Sequence, residues 1–148
     1  MREAAVITGG HKLLFERLTE EAAHPLADAV HDWASLRASV MTEVHRLFNT
    51  RIPQDAARLA ARRRSTVDYG IPDLSLFPPR DPDAEANLIR HLTEALQAFE
   101  PRLTAPKVTL DRVEGAEGGL VAQVAGSIRL GRISHPLDFQ VALRRHGG

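Results

Sequence analysis

Nineteen acidic residues and seven histidines are the side chains of this 148-residue sequence with the most evident capacity for chemistry. Histidines bind zinc when they lie a few residues apart and converge on one site. No ligand spacing such as H-E-x-x-H occurs among the seven, which are His11, His24, His31, His45, His91, His135 and His146. The sequence also has no cysteine, which excludes thiolate metal sites and disulfides. We therefore predict no metal site and no cofactor.

Paired carboxylates could instead hydrolyse a glycosidic bond, because such enzymes place one carboxyl group on each side of that bond. Five acids could supply a pair: Glu43, Asp68, Asp73, Glu94 and Glu100. Any chain with nineteen acids offers as much, and the aromatic residues that line sugar clefts make up only 5% of this sequence. No G-x-S-x-G, P-loop or G-x-G-x-x-G motif is present. We predict no catalytic and no cofactor-binding residue, and nothing in these patterns establishes an enzyme.

Charge does not point to a nucleic-acid or membrane partner, because the formal net charge is zero. Positive charge is concentrated only between Arg58 and Arg64, which forms either a solvated helix face or a docking surface for an acidic partner. Tyr69 is the nearest aromatic residue that could stack on a base, which disfavours nucleic acid. No segment approaches about 18 uncharged apolar residues. We expect a cytoplasmic protein that does not insert into a membrane.

The chain divides into an arm and one domain. Residues 1–23 are largely polar, with one short amphipathic element whose apolar residues include Leu14, Phe15 and Leu18. His24-Pro25 marks a break, so we predict a single domain over residues 24–148. The arm is either a segment that docks on a partner or a frayed terminus.

Two amphipathic helices are predicted, at about residues 25–50 and 83–100. Their apolar residues recur at helical spacing: Leu36, Val40, Met41, Val44, Leu47 and Phe48 in the first helix, and Leu88, Ile89, Leu92, Ala95, Leu96 and Phe99 in the second. Asp81 or Asp83 can cap the second helix. A shorter helix could form between Asp55 and Arg64.

The hydrophobic period changes to two after the second helix, which predicts strands at about residues 107–113, 119–130 and 135–145. Short glycine-containing or proline-containing turns separate them. Three strands joined in this way favour an antiparallel meander with one face on the helices and one face on water. The predicted fold class is therefore α+β, with N-terminal helices packed on a C-terminal three-stranded antiparallel meander.

The irregular segment Asp68–Asp73 reads D-Y-G-I-P-D and predicts a structured turn. Gly70 can adopt a positive φ, and Pro72 favours an extended conformation at the residue before it. We expect Tyr69 to pack against the core and Asp73 to cap nearby amides.

The segment Phe99–Leu103 places an acid at the C-terminus of the second helix, where negative charge is unfavourable. Pro101 fixes φ and forces the helix to stop at Glu100. Two interpretations are open. Glu100 and Arg102 project from a rigid corner toward a partner, or Glu100 pairs within the chain, for example with an arginine of the 58–64 run.

Four stretches occur in one order along the chain: Leu14–Leu18 (L-F-E-R-L), Leu47–Arg51 (L-F-N-T-R), Tyr69–Asp73 (Y-G-I-P-D) and Phe99–Leu103 (F-E-P-R-L). Together they resemble the TssE family, the baseplate subunits of bacterial type VI secretion systems. That family belongs to the wider group of contractile-phage baseplate wedge proteins, which is sometimes labelled lysozyme-like. The resemblance covers nearly the whole chain.

The resemblance implies a non-enzymatic structural subunit of a baseplate that assembles at the cytoplasmic face of the inner membrane. Implied partners are the wedge subunits TssF and TssG, TssK in the same complex, and the contractile sheath, whose first ring such subunits template by exchanging β-strands. The resemblance also favours a partner-facing role for Glu100, Pro101 and Arg102. The alternatives are a baseplate protein of a phage tail or extracellular contractile particle, and a lysozyme-like peptidoglycan hydrolase.

Overall fold

The computed structural model describes residues 33–53, 56–113 and 119–144. The predicted N-terminal arm, with Leu14, Phe15 and Leu18, lies outside the described residues, as does the first part of the first predicted helix. The described residues hold α-helices first and a sheet second, which confirms the predicted α+β class.

Both predicted long helices are present, with a short one between them. They are α1 (Trp33–Phe48), α2 (Ala56–Ala60) and α3 (Pro82–Phe99). Asp81 caps α3, because its carboxylate accepts hydrogen bonds from the backbone N–H groups of Asp83 and Ala84 at 3.0 and 3.4 Å. Two 3-10 turns, Thr66–Asp68 and Leu74–Leu76, shape the connection from α2 to α3. Within the described residues, no helix has both the length and the apolar character needed to cross a membrane.

The three strands form one antiparallel sheet in the order β1-β2-β3. They are β1 (Leu103–Val113), β2 (Gly119–Leu130) and β3 (Ile133–Leu143). On β3 every odd-numbered residue from Leu137 onward is buried and every even-numbered residue is exposed, as expected for a sheet with one wet face. Helix α3 packs mainly on β1 and helix α1 on β3.

Strand β1 starts before the predicted residue 107, and a β-bulge explains the difference. Pairing with β2 skips between Thr104 and Lys107, so Ala105 and Pro106 together lie opposite Gly126. The extra residue shifts the alternation of side chains between the two faces. A strict period of two therefore does not predict the beginning of this strand.

The core lies between the helices and the inner face of the sheet. It contains the predicted apolar stripes of both long helices, joined by inward-facing residues of every strand, among them Val108, Ala122, Val124, Ile128, Phe139 and Val141. Ile71 and Leu74, from the irregular segment before α3, complete the core. Burial of this apolar area is the main stabilising contribution to the fold.

Residues that follow α1 run beside the turn at residues 69–73. The backbone N–H of Ile71 donates to the carbonyl of Thr50 at 2.9 Å, and the N–H of Ile52 donates to the carbonyl of Ile71 at 3.0 Å. Gly70 makes this approach possible. It has φ of +122°, and a Cβ built on it would lie 2.6 Å from the Thr50 carbonyl oxygen.

We expect Gly70→Ala to lower the free energy of unfolding by more than about 1 kcal/mol, because the new methyl group is strained in φ and collides with backbone. Urea unfolding followed by circular dichroism measures the change. Gly119→Ala is the matched control, since among the described residues a Cβ there would meet only the Val113 Cβ, at 3.9 Å. Equal stability of the two variants would contradict the tight approach at Gly70.

Candidate functional site

Three of the four sequence motifs come together at the junction between the helices and the sheet. We call Leu47–Arg51, Tyr69–Asp73 and Phe99–Leu103 the motif cluster. The first two are joined by the backbone bonds of Ile71, and the rings of Tyr69 and Phe99 meet edge to face at 5.4 Å between centroids. The fourth motif, Leu14–Leu18, lies outside the described residues.

The chain turns from α3 into β1 through a tight four-residue turn. The N–H of Leu103 donates to the carbonyl of Glu100 at 3.1 Å, which places Pro101 at the second position of the turn, where its fixed φ is favourable. Pro101 is exposed on the outside of this corner. The proline thus fixes the angle between the end of α3 and the start of β1.

Glu100 is buried, with 1% of its surface exposed, and its carboxylate is neutralised by Arg102. Arg102 Nε donates to Oε1 at 2.8 Å and Arg102 NH2 donates to Oε2 at 2.7 Å, a two-pronged ion pair. The backbone N–H of Arg102 also donates to Oε1 at 3.2 Å. Arg102 NH1 reaches the hydroxyl of Ser39 on α1 at 2.8 Å. The pair therefore ties the corner to α1.

These contacts answer the question that the sequence left open about Glu100. Its side chain does not project from the corner, because Arg102 folds back over it inside the chain. The suggested partner from the 58–64 run is wrong, since the cation comes from two residues further along. A carboxylate is accommodated after the helix end because a guanidinium compensates its charge. The surface of the corner consists of Pro101 and the 15% of the Arg102 side chain that remains exposed.

Tyr69 connects the turn to α1. Its hydroxyl donates to Oε1 of Glu43 at 2.6 Å, and Arg46 holds the other carboxylate oxygen at 3.0 Å. Burial raises the pKa of Tyr69, and the neighbouring Glu43 carboxylate raises it further. Tyr69 therefore acts as a packed hydrogen-bond donor. Asp73 accepts from the backbone N–H of Ser75 at 2.7 Å, so the expected capping by Asp73 is confirmed.

Asn49 and Arg51 connect the end of α1 to the end of β3. Asn49 Nδ2 donates to the carbonyl of Ala142 at 3.2 Å, and the N–H of Arg144 donates to Asn49 Oδ1 at 3.0 Å. Arg51 donates to the carbonyl of Phe48 at 2.7 Å and also to the carbonyl of Arg144. These side chains replace the neighbouring strand that the outer edge of β3 lacks at this end.

The four arginines between residues 58 and 64 fall into two groups, one that binds the turn before α3 and one that is exposed. Arg62 pairs with the fully buried Asp68 at 2.7 Å, and Arg64 donates to the backbone carbonyls of Gly70 and His91 at 2.9 and 3.2 Å. Arg58 and Arg63 are exposed, as expected for a solvated face. Half of the run thus fixes the turn before α3.

The pKa of Asp68 is lowered, first because the backbone N–H of Ser65 donates to its carboxylate at 2.8 Å. The Ser65 hydroxyl and Arg62 lower it further, and burial opposes them.

Metal binding is a separate question. Across residues 33–53, 56–113 and 119–144, no three His, Asp or Glu side chains form a group that could hold a metal ion.

The partners that hold the motifs in place are not predicted by the sequence patterns. Ser39 and Glu43, which bind Arg102 and Tyr69, lie at helical spacing beside the apolar stripe of α1. Polar residues at such positions are a signal of a buried polar contact, although they do not identify the partner. Asp68 carried no signal beyond its place in a turn-rich segment.

We expect Asp68→Asn to destabilise the protein at pH 7, and the difference from the wild type to shrink below about pH 4. The sign follows from the lowered pKa. The fold binds this proton less readily than the unfolded chain, so the stabilisation is present above the unfolded pKa and is lost as the pH falls. Urea unfolding at a series of pH values measures it. Asp111→Asn is the control, because Asp111 is exposed on β1. If the stability difference between Asp68→Asn and the wild type did not change with pH, the role assigned to the Asp68 carboxylate would be contradicted.

Comparison with known proteins gives one family and one described structure. The family model for "Baseplate wedge protein gp25" matches residues 34–132. A chain of a solved structure, "The baseplate complex from the type VI secretion system", is similar with a TM-score of 0.51 and 23% sequence identity. The match covers 75% of this chain and 96% of that chain, and at this identity it establishes similarity of fold. The comparison with curated proteins gives no significant match. The chain belongs to the gp25 family of baseplate wedge proteins.

Proposed function

We propose that this chain is the TssE-type structural subunit of a type VI secretion baseplate and has no enzymatic activity. The observation that carries the proposal is the convergence of three TssE-like motifs into one cross-linked cluster at the helix–sheet junction. Membership of the baseplate wedge family and the similarity of fold to a chain of a type VI baseplate support it.

The corner between α3 and β1 is our candidate contact with the wedge core formed by TssF and TssG, in a complex that also contains TssK. In this proposal Pro101 and the exposed part of Arg102 make the contact, while buried Glu100 holds Arg102 in one orientation. A side chain fixed in advance loses less conformational entropy when a partner binds. We place the assembly at the cytoplasmic face of the inner membrane and the second contact, with the contractile sheath, on the sheet.

Several internal contacts favour a structural role over catalysis. In the part of the chain that the structure describes, the two fully buried carboxylates, Glu100 and Asp68, are both paired with arginines and bonded to backbone N–H groups. A catalytic acid in a glycoside hydrolase instead needs a raised pKa. The pKa of Asp68 is lowered, which is opposite to that requirement.

Co-purification with the TssF and TssG proteins encoded in the same genome tests the proposal. We expect a stable complex that Glu100→Gln weakens about tenfold or more, because the neutral amide no longer fixes Arg102. The same change lowers the free energy of unfolding by about 1–3 kcal/mol. The binding constants are therefore measured under conditions where circular dichroism shows both proteins folded.

Arg90→Ala is the control, since Arg90 is an exposed arginine whose contacts are to neighbours on its own helix. A folded Glu100→Gln protein that binds the wedge core as tightly as the wild type would contradict the role of the corner. Failure of the wild-type chain to co-purify would contradict the assignment to a type VI secretion baseplate. Neighbouring capsid genes in place of secretion-system membrane genes would assign the chain to a phage tail.

We expect no clearing of a peptidoglycan suspension by the purified protein over a wide pH range, measured by turbidity beside hen lysozyme. The reason is that the two buried carboxylates of the described residues are already bound by arginines, and the pKa of Asp68 is lowered where a general acid needs a raised one. Clearing that a single carboxylate substitution abolishes would establish an enzyme and overturn this part of the proposal.

A further inference from the structure

His91 is a titratable side chain that lies inside the protein. It is on α3, with 1% of its surface exposed, and its ring packs edge to face on the ring of Phe77 at 5.9 Å between centroids. Its neighbours on α3, Leu88 and Leu92, belong to the hydrophobic core. Removal from water at this position disfavours a charged imidazolium.

The Nδ1 atom of His91 lies between a cation and an anion. Arg64 NH2 is 3.4 Å away, and Oε2 of Glu94 is 3.9 Å away. A guanidinium can only donate, so the contact with Arg64 requires Nδ1 without a proton. An ionised carboxylate can only accept, so a hydrogen bond to Glu94 requires Nδ1 with a proton. The two contacts therefore exclude each other, and the protonation of His91 determines which one forms.

Arg64 is also the side chain that ties the Tyr69–Asp73 turn to α3. Its NH1 donates to the carbonyl of Gly70 at 2.9 Å, and its NH2 donates to the carbonyl of His91 at 3.2 Å. The Nε atom of Arg64 is buried and has no hydrogen-bond partner among the described residues. Nδ1 of a neutral His91 is thus a further acceptor for a cation that is incompletely satisfied.

A proton on His91 would place a second positive charge against Arg64. Burial lowers the pKa of His91, Arg90 and Arg64 lower it further, and Glu94 opposes them. The other carboxylate that faces Arg64 is Asp68. The folded protein therefore keeps His91 neutral at pH 7, with Nδ1 available to Arg64.

We propose that His91 is a proton-sensitive latch of the Tyr69–Asp73 turn, closed by the contact of its neutral Nδ1 with Arg64. When His91 takes up a proton, the new N–H donates to Glu94, and the imidazolium repels Arg64. Arg64 then releases the carbonyl of Gly70, and the turn loosens from α3. The inference goes beyond the proposed function and does not depend on it.

The opening is confined to the side of the turn that faces α3. On the side that faces α1, the turn is held by the bond from the Ile71 N–H to the Thr50 carbonyl and by the bond from Tyr69 to Glu43. Neither bond involves the latch. Acid is therefore expected to move the backbone at Gly70 away from α3 without separating the turn from α1.

Nuclear magnetic resonance of the full chain between pH 8 and pH 5 tests the proposal. The imidazole signals of His91 report its protonation. The amide signal of Ile71 reports release by Arg64, because its nitrogen belongs to the same peptide unit as the Gly70 carbonyl. We expect both signals to change with one midpoint, below the ordinary histidine pKa of about 6.5, while the amide signal of Val124 in β2 stays unchanged.

Stability should follow the same titration. Because the pKa of His91 is lowered in the fold, the unfolded chain binds this proton more readily. The stabilisation is present above the unfolded pKa and is lost as the pH falls. We expect the unfolding equilibrium constant, measured with urea, to rise by up to about tenfold per pH unit between pH 6.5 and pH 5.

Variants identify the groups of the latch. His91→Gln keeps an acceptor for Arg64 and cannot titrate in this range, so the response of the Ile71 amide to pH should disappear. Glu94→Gln removes the carboxylate that receives the protonated ring, so the midpoint of His91 should move to lower pH. His45→Gln is the matched control, because His45 is an exposed histidine on α1, and it should respond like the wild type.

A response of the Ile71 amide that persists in His91→Gln, or that differs in midpoint from the His91 imidazole, would overturn the latch. A His91 midpoint at or above about 6.5 would overturn its neutral closed state. An unchanged midpoint in Glu94→Gln would overturn the role of that carboxylate. Loss of all native amide signals together would show global unfolding and would overturn local release. The wild-type titration decides the outcome even where His91→Gln does not fold.

Discussion

A carboxylate inside the protein needs a cation beside it to compensate its charge. In this protein such a pair lies where the chain passes from α3 to β1. Glu100 is buried, and the cation is supplied by Arg102 on the other side of one proline. The turn at Pro101 brings these two side chains together, whereas residues two apart on a helix do not face each other. Because Arg102 also binds Ser39, the same contact fixes α1 against the corner. The direction in which β1 leaves the helices follows from this pair.

Arginine side chains also hold segments of the chain together elsewhere in the fold. Seventeen of the nineteen basic residues are arginine, and two of them each bind two backbone carbonyls. Arg51 holds the carbonyls of Phe48 and Arg144, and Arg64 holds those of Gly70 and His91. A guanidinium has several donors in a fixed plane and can serve two carbonyls at once, which an ammonium group does less well. The arginine content therefore has a structural use in the irregular segments.

The parts of the fold that depend on local periodicity could be predicted from the sequence, and the parts that depend on distant contacts could not. The apolar stripes located α1 and α3, and the alternation located β2. The start of β1 was missed because Ala105 and Pro106 interrupt the alternation. The motifs were recognised along the chain, but the bond between Asn49 and Ala142 joins residues far apart in sequence and has no local signal.

The cross-links that position the motifs also make the two edges of the sheet unequal. Asn49 and Arg51 bind backbone groups of Ala142 and Arg144, at and just beyond the end of β3, so the segment that joins α1 to the turn covers this end of one edge. No comparable contact exists on the described part of β1 beyond its bulge. Open edges invite aggregation, and proteins limit the risk with bulges and charged residues. Strand β1 has both, in the bulge at Ala105 and Pro106 and in the exposed Lys107 that follows it. The bulge and the charge of Lys107 therefore limit edge-to-edge association at β1.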